Sequence, residues 1–463
     1  MIGYVERFLW AMRGAFSRRA TWGWFGVVFV GLVVRGDSLG VSSIVRALAL
    51  SPACYPALLH FFHSTAWSAE SLFRLWWGFL ARENVGHCIN GRVVLIGDHT
   101  KTPKDGRRMP AVTTLHQDSE TNSKPSFFRG HHWACIALLV AAGKKCFATP
   151  LWAEIHRDRG RQSRTTRLVS VAADIARALE RPAYLVLDAF FAAGPVFQIA
   201  RASQGTLHIL TRAKKNVVAY LPPPPSRSTP RRGRPRKYGK KLSLLKLFGD
   251  RRYRRYPFQT FPATVYDSAE TVRALTLDLL WKPVKATLRF FLIQSSRGPL
   301  ILITDDRTLS AADALFLYCR RAAIETLFDI LKNLVGAMAY HFWSRYLRPS
   351  SRRPLQATTP PHSSRPRQTA NTLAAIEKFL AVQISVVGLL HLLARHVAPE
   401  IFRKAFWWLR TPCGPTPSVF VTRAALSNTL HANLRALAQN PMTQLILAKQ
   451  HHPAKTLSQR KAA

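Results

Sequence analysis

Two continuous apolar runs, far apart along the chain, each end at an aspartate. Residues 93–96 lead into Gly97 and Asp98, and residues 183–187 lead directly into Asp188. Uninterrupted runs of this length are typical of central strands that are buried on both faces. A carboxylate at the end of such a strand is costly unless something pairs with it, and a metal ion would. We therefore predict two buried strands that deliver Asp98 and Asp188 to a metal site.

The segments around these two strands alternate between helix and strand patterns. Residues 101–130 are polar, basic and proline-containing, which predicts a long functional loop beside the site. The rest of the pattern predicts, in order, helices in residues 1–86, strands at 133–142 and 146–155, a helix at 163–180, a helix from Gly194, a strand at 206–211 and a β-rich stretch at 260–305. Such alternation indicates an α/β fold.

A third acidic residue lies in residues 315–334, which have the pattern of an amphipathic helix. At about 100° per residue, Tyr318, Arg321, Glu325 and Lys332 share one face, and apolar side chains lie opposite. Mixed charges on a helix face are most often a solvated surface. Their spacing here, Tyr-x2-Arg-x3-Glu-x6-Lys, is what makes the stretch informative.

This spacing resembles the Tyr-Arg-Glu-Lys signature of bacterial insertion-sequence transposases of the DDE group. The resemblance implies an RNase H-like mixed-sheet catalytic core with a β-rich insertion, flanked by N- and C-terminal helical domains. In that fold the first and fourth strands are adjacent, so Asp98 and Asp188 would meet, and Glu325 would complete a catalytic and metal-binding triad. The resemblance also implies that Tyr318, Arg321 and Lys332 grip phosphates of transposon-end DNA.

The charge of the chain agrees with a polyanionic partner. Lys and Arg number 67 against 24 Asp and Glu, a net charge of +43. DNA carries one negative charge per about 1.7 Å of its axis, and release of its counterions drives binding to basic proteins. RNA-binding proteins share such a charge, so charge alone does not choose between DNA and RNA.

Several basic residues outside the signature are candidates for DNA contact. Lys101, Lys104, Arg107 and Arg108 lie in the predicted loop, which we interpret as a DNA-facing lid. Inside a Pro- and Arg-rich stretch, 221–241, residues 232–237 resemble an AT-hook, whose arginines enter a narrow minor groove. The candidate contacts there are Arg232, Arg234, Arg236 and Lys237, with a solvated basic loop as the alternative. An aromatic residue of the insertion receives a flipped base in relatives, and Trp281 is the candidate here, with core packing as the alternative.

Composition and resemblance together predict six regions. They are an N-terminal helical DNA-end-binding domain (1–86), the first part of the catalytic core (87–212), an inserted basic linker and β subdomain (213–308), the signature helix (309–345), a linker (346–370) and a C-terminal helical region (371–463).

A triad of carboxylates without nitrogen or sulfur ligands suits hard divalent ions. We expect two Mg²⁺ ions, with Mn²⁺ as a substitute. The expected partner is double-stranded DNA, as transposon ends and target, held by a homodimer in a paired-end complex.

We expect a cytoplasmic, nucleoid-associated bacterial protein. The six cysteines lie far apart and form no zinc-binding motif, which is typical of thiols in a reducing cytoplasm. The apolar run at 22–34 is shorter than the ~18–20 residues that span a bilayer, so we predict a buried element and no membrane.

Two other functions fit part of this pattern. Another RNase H-like nuclease, such as a resolvase or an RNA–DNA hybrid hydrolase, would share the carboxylates but would not need the signature spacing or the insertion. A non-enzymatic DNA-binding protein descended from a transposase would have no need of Asp98, Asp188 and Glu325.

Overall fold

A computed structural model describes residues 1–451 except 38, 118–124, 144, 158–162, 225–235, 250–255, 267, 352–362, 405–413 and 437–438. Five helices come first, α1 (Ile2–Ala11), α2 (Arg19–Val34), α3 (Ser42–Ala47), α4 (Cys54–His63) and α5 (Ala69–Glu83). The apolar run at 22–34 lies in α2 and is largely buried, as predicted. Helix α5 begins at Ser68, whose hydroxyl accepts a hydrogen bond from the Ser71 amide as a cap.

Thirteen strands of the described chain form a single mixed sheet. They are β1 (Cys88–Ile89), β2 (Arg92–Pro103), β3 (Thr113–His116), β4 (Phe127–Ala142), β5 (Lys145–Ile155), β6 (Ala183–Leu187), β7 (Leu207–Arg212), β8 (Val218–Tyr220), β9 (Lys241–Ser243), β10 (Gln259–Val265), β11 (Ser268–Trp281), β12 (Ala286–Ser295) and β13 (Gly298–Thr304). Their order is β3-β4-β2-β6-β7-β13-β12-β11-β8-β9, with β1 on β2, β5 on β4 and β10 on β11.

Strands β2, β6 and β7 are parallel to one another, and the other pairs are antiparallel. The β2–β6 pairing ends at Ile96 opposite Val186, so Asp98 and Asp188 each follow the last pair by two residues and lie side by side. The two apolar strands predicted to bring Asp98 and Asp188 together, β2 and β6, are neighbours in the sheet. Strand β2 does not end at Asp98, as predicted, because its pairing with β4 continues to Pro103.

The predicted loop at 101–130 is wrong in part, because strands β3 and β4 and the end of β2 occupy much of it. The predicted insertion is β-rich, and its strands continue the central sheet through the β13–β7 pairing. Thr304 of β13 pairs with Leu210 of β7, so β13 extends the sheet beyond the three parallel strands. The domain boundaries themselves stay a prediction.

Helices cover the sheet. Helices α6 (Arg164–Ala178) and α7 (Gly194–Ala202) follow β5 and β6, as the pattern predicts. The C-terminal part contains α10 (Pro366–His396), α11 (Ala398–Lys404), α12 (Val419–Arg435) and α13 (Pro441–Leu447). Among the described residues, α10 is the one helix long and apolar enough to cross a membrane, and 89% of its most apolar window is buried inside the protein.

The stretch at 315–334 is three helical pieces and not the single helix predicted. Helix α8 (Ala311–Arg320) and helix α9 (Ala323–Asp329) are followed by a π-helix, Ile330–Leu334. Between α8 and α9 the Ile324 and Glu325 amides donate to carbonyls three residues back, which tightens the turn. A uniform 100° projection therefore misplaces residues on either side of this turn.

Strands β2 and β4 approach each other closely at Gly130. A Cβ atom there would lie 2.2 Å from the carbonyl oxygen of Thr102, a backbone atom that cannot rotate away. We expect Gly130→Ala to lower the free energy of unfolding by about 1–3 kcal/mol, the usual cost of overpacking. Chemical denaturation measures it, and Gly36→Ala, where a Cβ meets nothing within 4 Å, is the control. Equal stability of the two variants would contradict this packing.

Candidate active site

Asp98 and Asp188 lie next to each other because β2 and β6 are parallel neighbours. Asp98 is positioned by its own backbone, since its Oδ1 accepts the His99 amide at 2.7 Å. Asp188 caps a short 3₁₀ helix and accepts the Phe190 amide at 3.1 Å. The Thr211 hydroxyl of β7 donates to the carbonyl of Asp188 at 2.5 Å, which ties this turn to the next strand.

Arg321 connects Asp98 to Glu325. Its Nη1 donates to Asp98 Oδ2 at 2.9 Å, and its Nη2 lies 3.5 Å from Glu325 Oε1. The side chains of Arg321 and Asp98 are only 16% and 20% exposed, whereas that of Glu325 is 68% exposed. The guanidinium therefore lies between a partly buried carboxylate, Asp98, and a largely exposed one, Glu325.

Burial raises the pKa of Asp98 from its ordinary 3.8 to about 6, and repulsion from Asp188 adds to this while Arg321 opposes it. Burial likewise raises the pKa of Asp188, again against Arg321. Burial disfavours the charge of Arg321, but the nearby acids outweigh it and raise the pKa of its guanidinium. The site thus holds more negative charge than its solvation supports, and Arg321 compensates for part of it.

Asp98 and Asp188 face an open cavity of about 920 Å³. Its other lining residues are His99, Thr100, Lys101, Pro103, Gln117, Pro125, Phe128, His132, Arg164, Phe190 and Lys332. Of the predicted DNA contacts, Lys101 and Lys332 are in this lining. Burial lowers the pKa of Lys332.

Three residues of this cavity were missed by reasoning from the sequence. Arg164, in the first turn of α6, donates to His132 at 2.7 Å and lies 5.7 Å from the ring of Phe190. Phe190 is 52% exposed beside Asp188. His99 stacks on Phe191 with ring centroids 5.2 Å apart. The adjacency of His99 to Asp98 was a signal in the sequence, but only the fold brings Arg164 here.

Two arginines bind the C-terminal end of residues 315–334, the stretch that carries the Tyr-Arg-Glu-Lys spacing (the signature stretch). Arg35, 1% exposed, donates to the carbonyls of Val335 and Gly336, and Arg423 donates to Leu334 at 2.6 Å. Carbonyls at a helix end lack partners within the helix, and cations are favoured there. The N- and C-terminal helical parts therefore both fix the segment that carries Glu325 and Lys332.

Three of the predicted DNA contacts have buried side chains. Tyr318 is 8% exposed, since α8 packs against the insertion strands. Lys104 is 7% exposed, lies 3.8 Å from the Tyr340 ring centroid and donates to backbone carbonyls. Trp281 is 6% exposed and packs edge-on against Phe197 at 5.6 Å, which is the arrangement expected from the core-packing alternative.

The predicted DNA contacts not yet considered are either exposed or outside the described residues. Arg107, Arg108, Arg236 and Lys237 are exposed. Arg232 and Arg234, the centre of the stretch that resembles an AT-hook, lie outside the described residues.

Among the described side chains, no three of the His, Cys, Asp and Glu type are grouped closely enough to hold a metal ion. The donors nevertheless have the chemistry for one. Asp98 and Asp188 supply partly buried carboxylate oxygens, which hard divalent ions prefer, and burial raises the pKa of both despite the nearby Arg321 guanidinium. Glu325 is linked to Asp98 through Arg321.

A family model of DDE superfamily endonucleases matches residues 11–272, more than half of the 463-residue chain. This chain belongs to the DDE superfamily endonuclease family. The match includes Asp98 and Asp188 of this DDE endonuclease and ends before Glu325.

Two further comparisons add nothing to that assignment. No curated protein matches the chain. Among solved structures, a cryo-EM structure of a piggyBac transposase synaptic complex with hairpin DNA aligns over 94% of this chain and 77% of its own, at 12% identity and a TM-score of 0.33. A similarity this low carries no weight for the fold or the function.

The raised pKa of Asp98 predicts how this site affects stability. Between about pH 4 and 6 the unfolded chain loses a proton that the folded protein retains, so rising pH lowers the free energy of unfolding. We expect Asp98→Asn to remove this loss. Its stability relative to the unmodified protein should grow across that window, by up to about 3 kcal/mol, and stay constant above it.

Denaturation in EDTA from pH 4 to 8 measures the effect. The control is Asp105→Asn, which removes an acid at an exposed position. A stability difference between Asp98→Asn and the unmodified protein that does not change with pH would contradict the electrostatic description of the site.

Proposed function

We propose that this DDE endonuclease is a DNA transposase of the insertion-sequence type with the Tyr-Arg-Glu-Lys signature. It binds terminal inverted repeats and catalyses metal-dependent phosphodiester hydrolysis and strand transfer in cut-and-paste transposition. The observation that carries the proposal is the placement of Asp98 and Asp188 at one cavity, with Arg321 joining Asp98 to Glu325.

The strand order supports an RNase H-like core. In β5-β4-β2-β6-β7, the antiparallel β4 lies beside β2, and β2, β6 and β7 are parallel. The first and fourth of these strands in chain order are thus neighbours, and their acidic residues share an edge. Helix α9 then brings Glu325 from a later part of the chain.

Asp98, Asp188 and Glu325 would hold divalent ions, Mg²⁺ in the proposal, with Mn²⁺ as a substitute. Two such ions supply activation of the attacking oxygen and stabilisation of the leaving oxygen at a phosphodiester. The protein residues orient the DNA. Lys101 and Lys332 line the cavity and present positive charge to phosphates. Arg321, when not paired with Asp98, is placed to contact a phosphate beside Glu325.

The partners follow from the same proposal. Double-stranded DNA, as transposon ends and as target, meets a strongly basic chain, and two protomers hold the paired ends. The protein acts in the bacterial cytoplasm at the nucleoid and does not require a membrane.

The triad is tested by single replacements. We expect Asp98→Ala, Asp188→Ala and Glu325→Ala each to reduce Mg²⁺-dependent cleavage of end DNA by at least about 100-fold, since even outer-shell partners of a metal contribute 10–100-fold. End binding should be unchanged, because these side chains do not attract phosphates. Asp105→Ala, at an exposed position, is the matched control. Full cleavage by all three variants would refute the assignment.

A strand-transfer assay separates a transposase from other nucleases. We expect the protein to join a pre-cut transposon end to a plasmid, with the 3′-hydroxyl as the attacking group. Cleavage without joining would favour a resolvase or a hybrid hydrolase. Binding without either reaction would favour a non-enzymatic DNA-binding protein.

A further inference from the structure

Residues 340–345, which follow the signature stretch, alternate between the interior and the surface. The inward side chains are those of Tyr340, Phe342 and Ser344. The outward side chains are those of His341, Trp343 and Arg345. Alternation with a period of two places every second side chain on one face of an extended chain, about 6.6 Å apart. Trp343 is 64% exposed, among the most exposed large apolar side chains described.

This exposure is imposed by the packing. Phe342 is buried against Phe62 and Phe379, with ring centroids 5.6 and 6.2 Å away. The Tyr340 hydroxyl is hydrogen bonded to His131 at 2.6 Å and accepts the Trp133 indole N–H at 3.1 Å. With its neighbours held inside, Trp343 must point outward. A large apolar side chain held in water at a fixed position indicates a contact surface.

The loop after β2 fixes the same segment from the other side. The Ser344 amide donates to the carbonyl of Arg108, and the Ser350 amide donates to that of Arg107, both at 2.9 Å. Arg107 Nε in turn donates to the carbonyl of Ser350 at 3.2 Å. Backbone pairing therefore brings two exposed arginines of one loop to a segment that carries two more, Arg345 and Arg348.

The charge of this surface has one sign. Residues 341–351, HFWSRYLRPSS, contain no acid, and Asp105 is the acid of the adjoining loop. The guanidinium groups of Arg345 and Arg365 each lie 5.1 Å from the centroid of the Tyr346 ring. Aromatic rings among arginines are the usual surface for single-stranded nucleic acid, in which bases stack and phosphates pair with cations.

We propose that this stacking surface, formed by Trp343, Arg345, Arg348, Arg107 and Arg108, binds unpaired DNA. A base stacks on the Trp343 indole, and the four arginines hold the phosphates beside it. The base must be unpaired, because the faces of bases within a duplex are covered by their neighbours. The loop with Arg107 and Arg108 begins where β2 ends, about 16 Å along the strand from Asp98, so the bound strand lies near the cavity without filling it.

DNA binding at the stacking surface rests on the proposed function only in taking DNA as the partner. A transposase generates and holds unpaired strands when it opens DNA around a cut. Binding at the stacking surface does not require the carboxylates, so it can be measured in EDTA, where metal-dependent cleavage is absent. Failure of the surface and failure of the catalytic assignment are therefore distinguishable.

The test compares variants by fluorescence anisotropy with a labelled 20-nucleotide oligothymidine and a blunt 20-base-pair duplex. We expect Trp343→Ala to weaken oligothymidine binding by about 5- to 150-fold, the effect of one lost stacked base. Duplex binding should be much less affected. Trp343→Phe, which keeps a ring, should restore most of the affinity. Trp10→Ala removes another tryptophan, 60% exposed on α1, and is the matched control.

Salt dependence separates the roles of the arginines from that of the indole. Arg345→Gln and Arg348→Gln should each reduce the slope of log affinity against log salt by about 0.7, the value per phosphate of a single strand. Trp343→Ala should leave that slope unchanged, since stacking releases no counterions. Thermal unfolding verifies that every variant is folded.

Two results would overturn the proposal. One is oligothymidine binding by Trp343→Ala and by Arg348→Gln that equals that of Trp10→Ala. The other is an equal loss for duplex and single strand, which would indicate general damage or a surface for another partner. If the triad variants keep full cleavage while the stacking losses occur, the surface stands and the catalytic assignment fails.

Discussion

The ion pair between Arg321 and Asp98 is the interaction on which the candidate site depends. The carboxylates of Asp98, within β2, and Asp188, just after the adjacent parallel strand β6, repel each other, and burial removes much of the water that would otherwise screen them. Arg321 supplies the opposing charge at 2.9 Å from Asp98. Its counterpart on the other side, Glu325, remains 68% exposed. The described arrangement therefore explains how the acids are tolerated together, and why additional positive charge would be accepted there.

The surrounding fold serves to hold both sides of this pair in place. The sheet sets Asp98 beside Asp188 through the β2–β6 register. The segment that carries Arg321 and Glu325 is held by α8 against the insertion strands and, at its far end, by Arg35 and Arg423. Because these arginines come from α12 and from the residue after α2, the terminal helical parts contribute to the site without lining it. The insertion strands and the terminal helices thus both position the segment that carries Arg321 and Glu325.

Sequence patterns predicted the elements that local chemistry determines. Buried strands such as β6 can be recognised from an uninterrupted run of apolar residues. The acids that follow such runs, Asp98 and Asp188, are identified at the same time. The patterns failed where contacts distant in sequence decide the outcome. The sequence predicts Lys104 and Tyr318 at the surface. Tyr340 instead covers Lys104, and the insertion strands cover Tyr318. The turn after Arg320 has no signature in residue type, so a single helix was predicted. No sequence pattern distinguishes Trp343, because only the packing shows that its neighbours, Phe342 and Ser344, point inward.

The family match makes this chain a DDE superfamily endonuclease, and its proposed metal site lies at Asp98 and Asp188 beside the cavity. The most direct measurement is a crystal structure of the protein soaked in Mn²⁺, with the ion located by anomalous scattering. The account predicts a Mn²⁺ peak bound by Asp98 and Asp188, with the Arg321 guanidinium moved away from Asp98. A Mn²⁺ peak elsewhere, or an intact ion pair between Arg321 and Asp98 at saturating Mn²⁺, would contradict it.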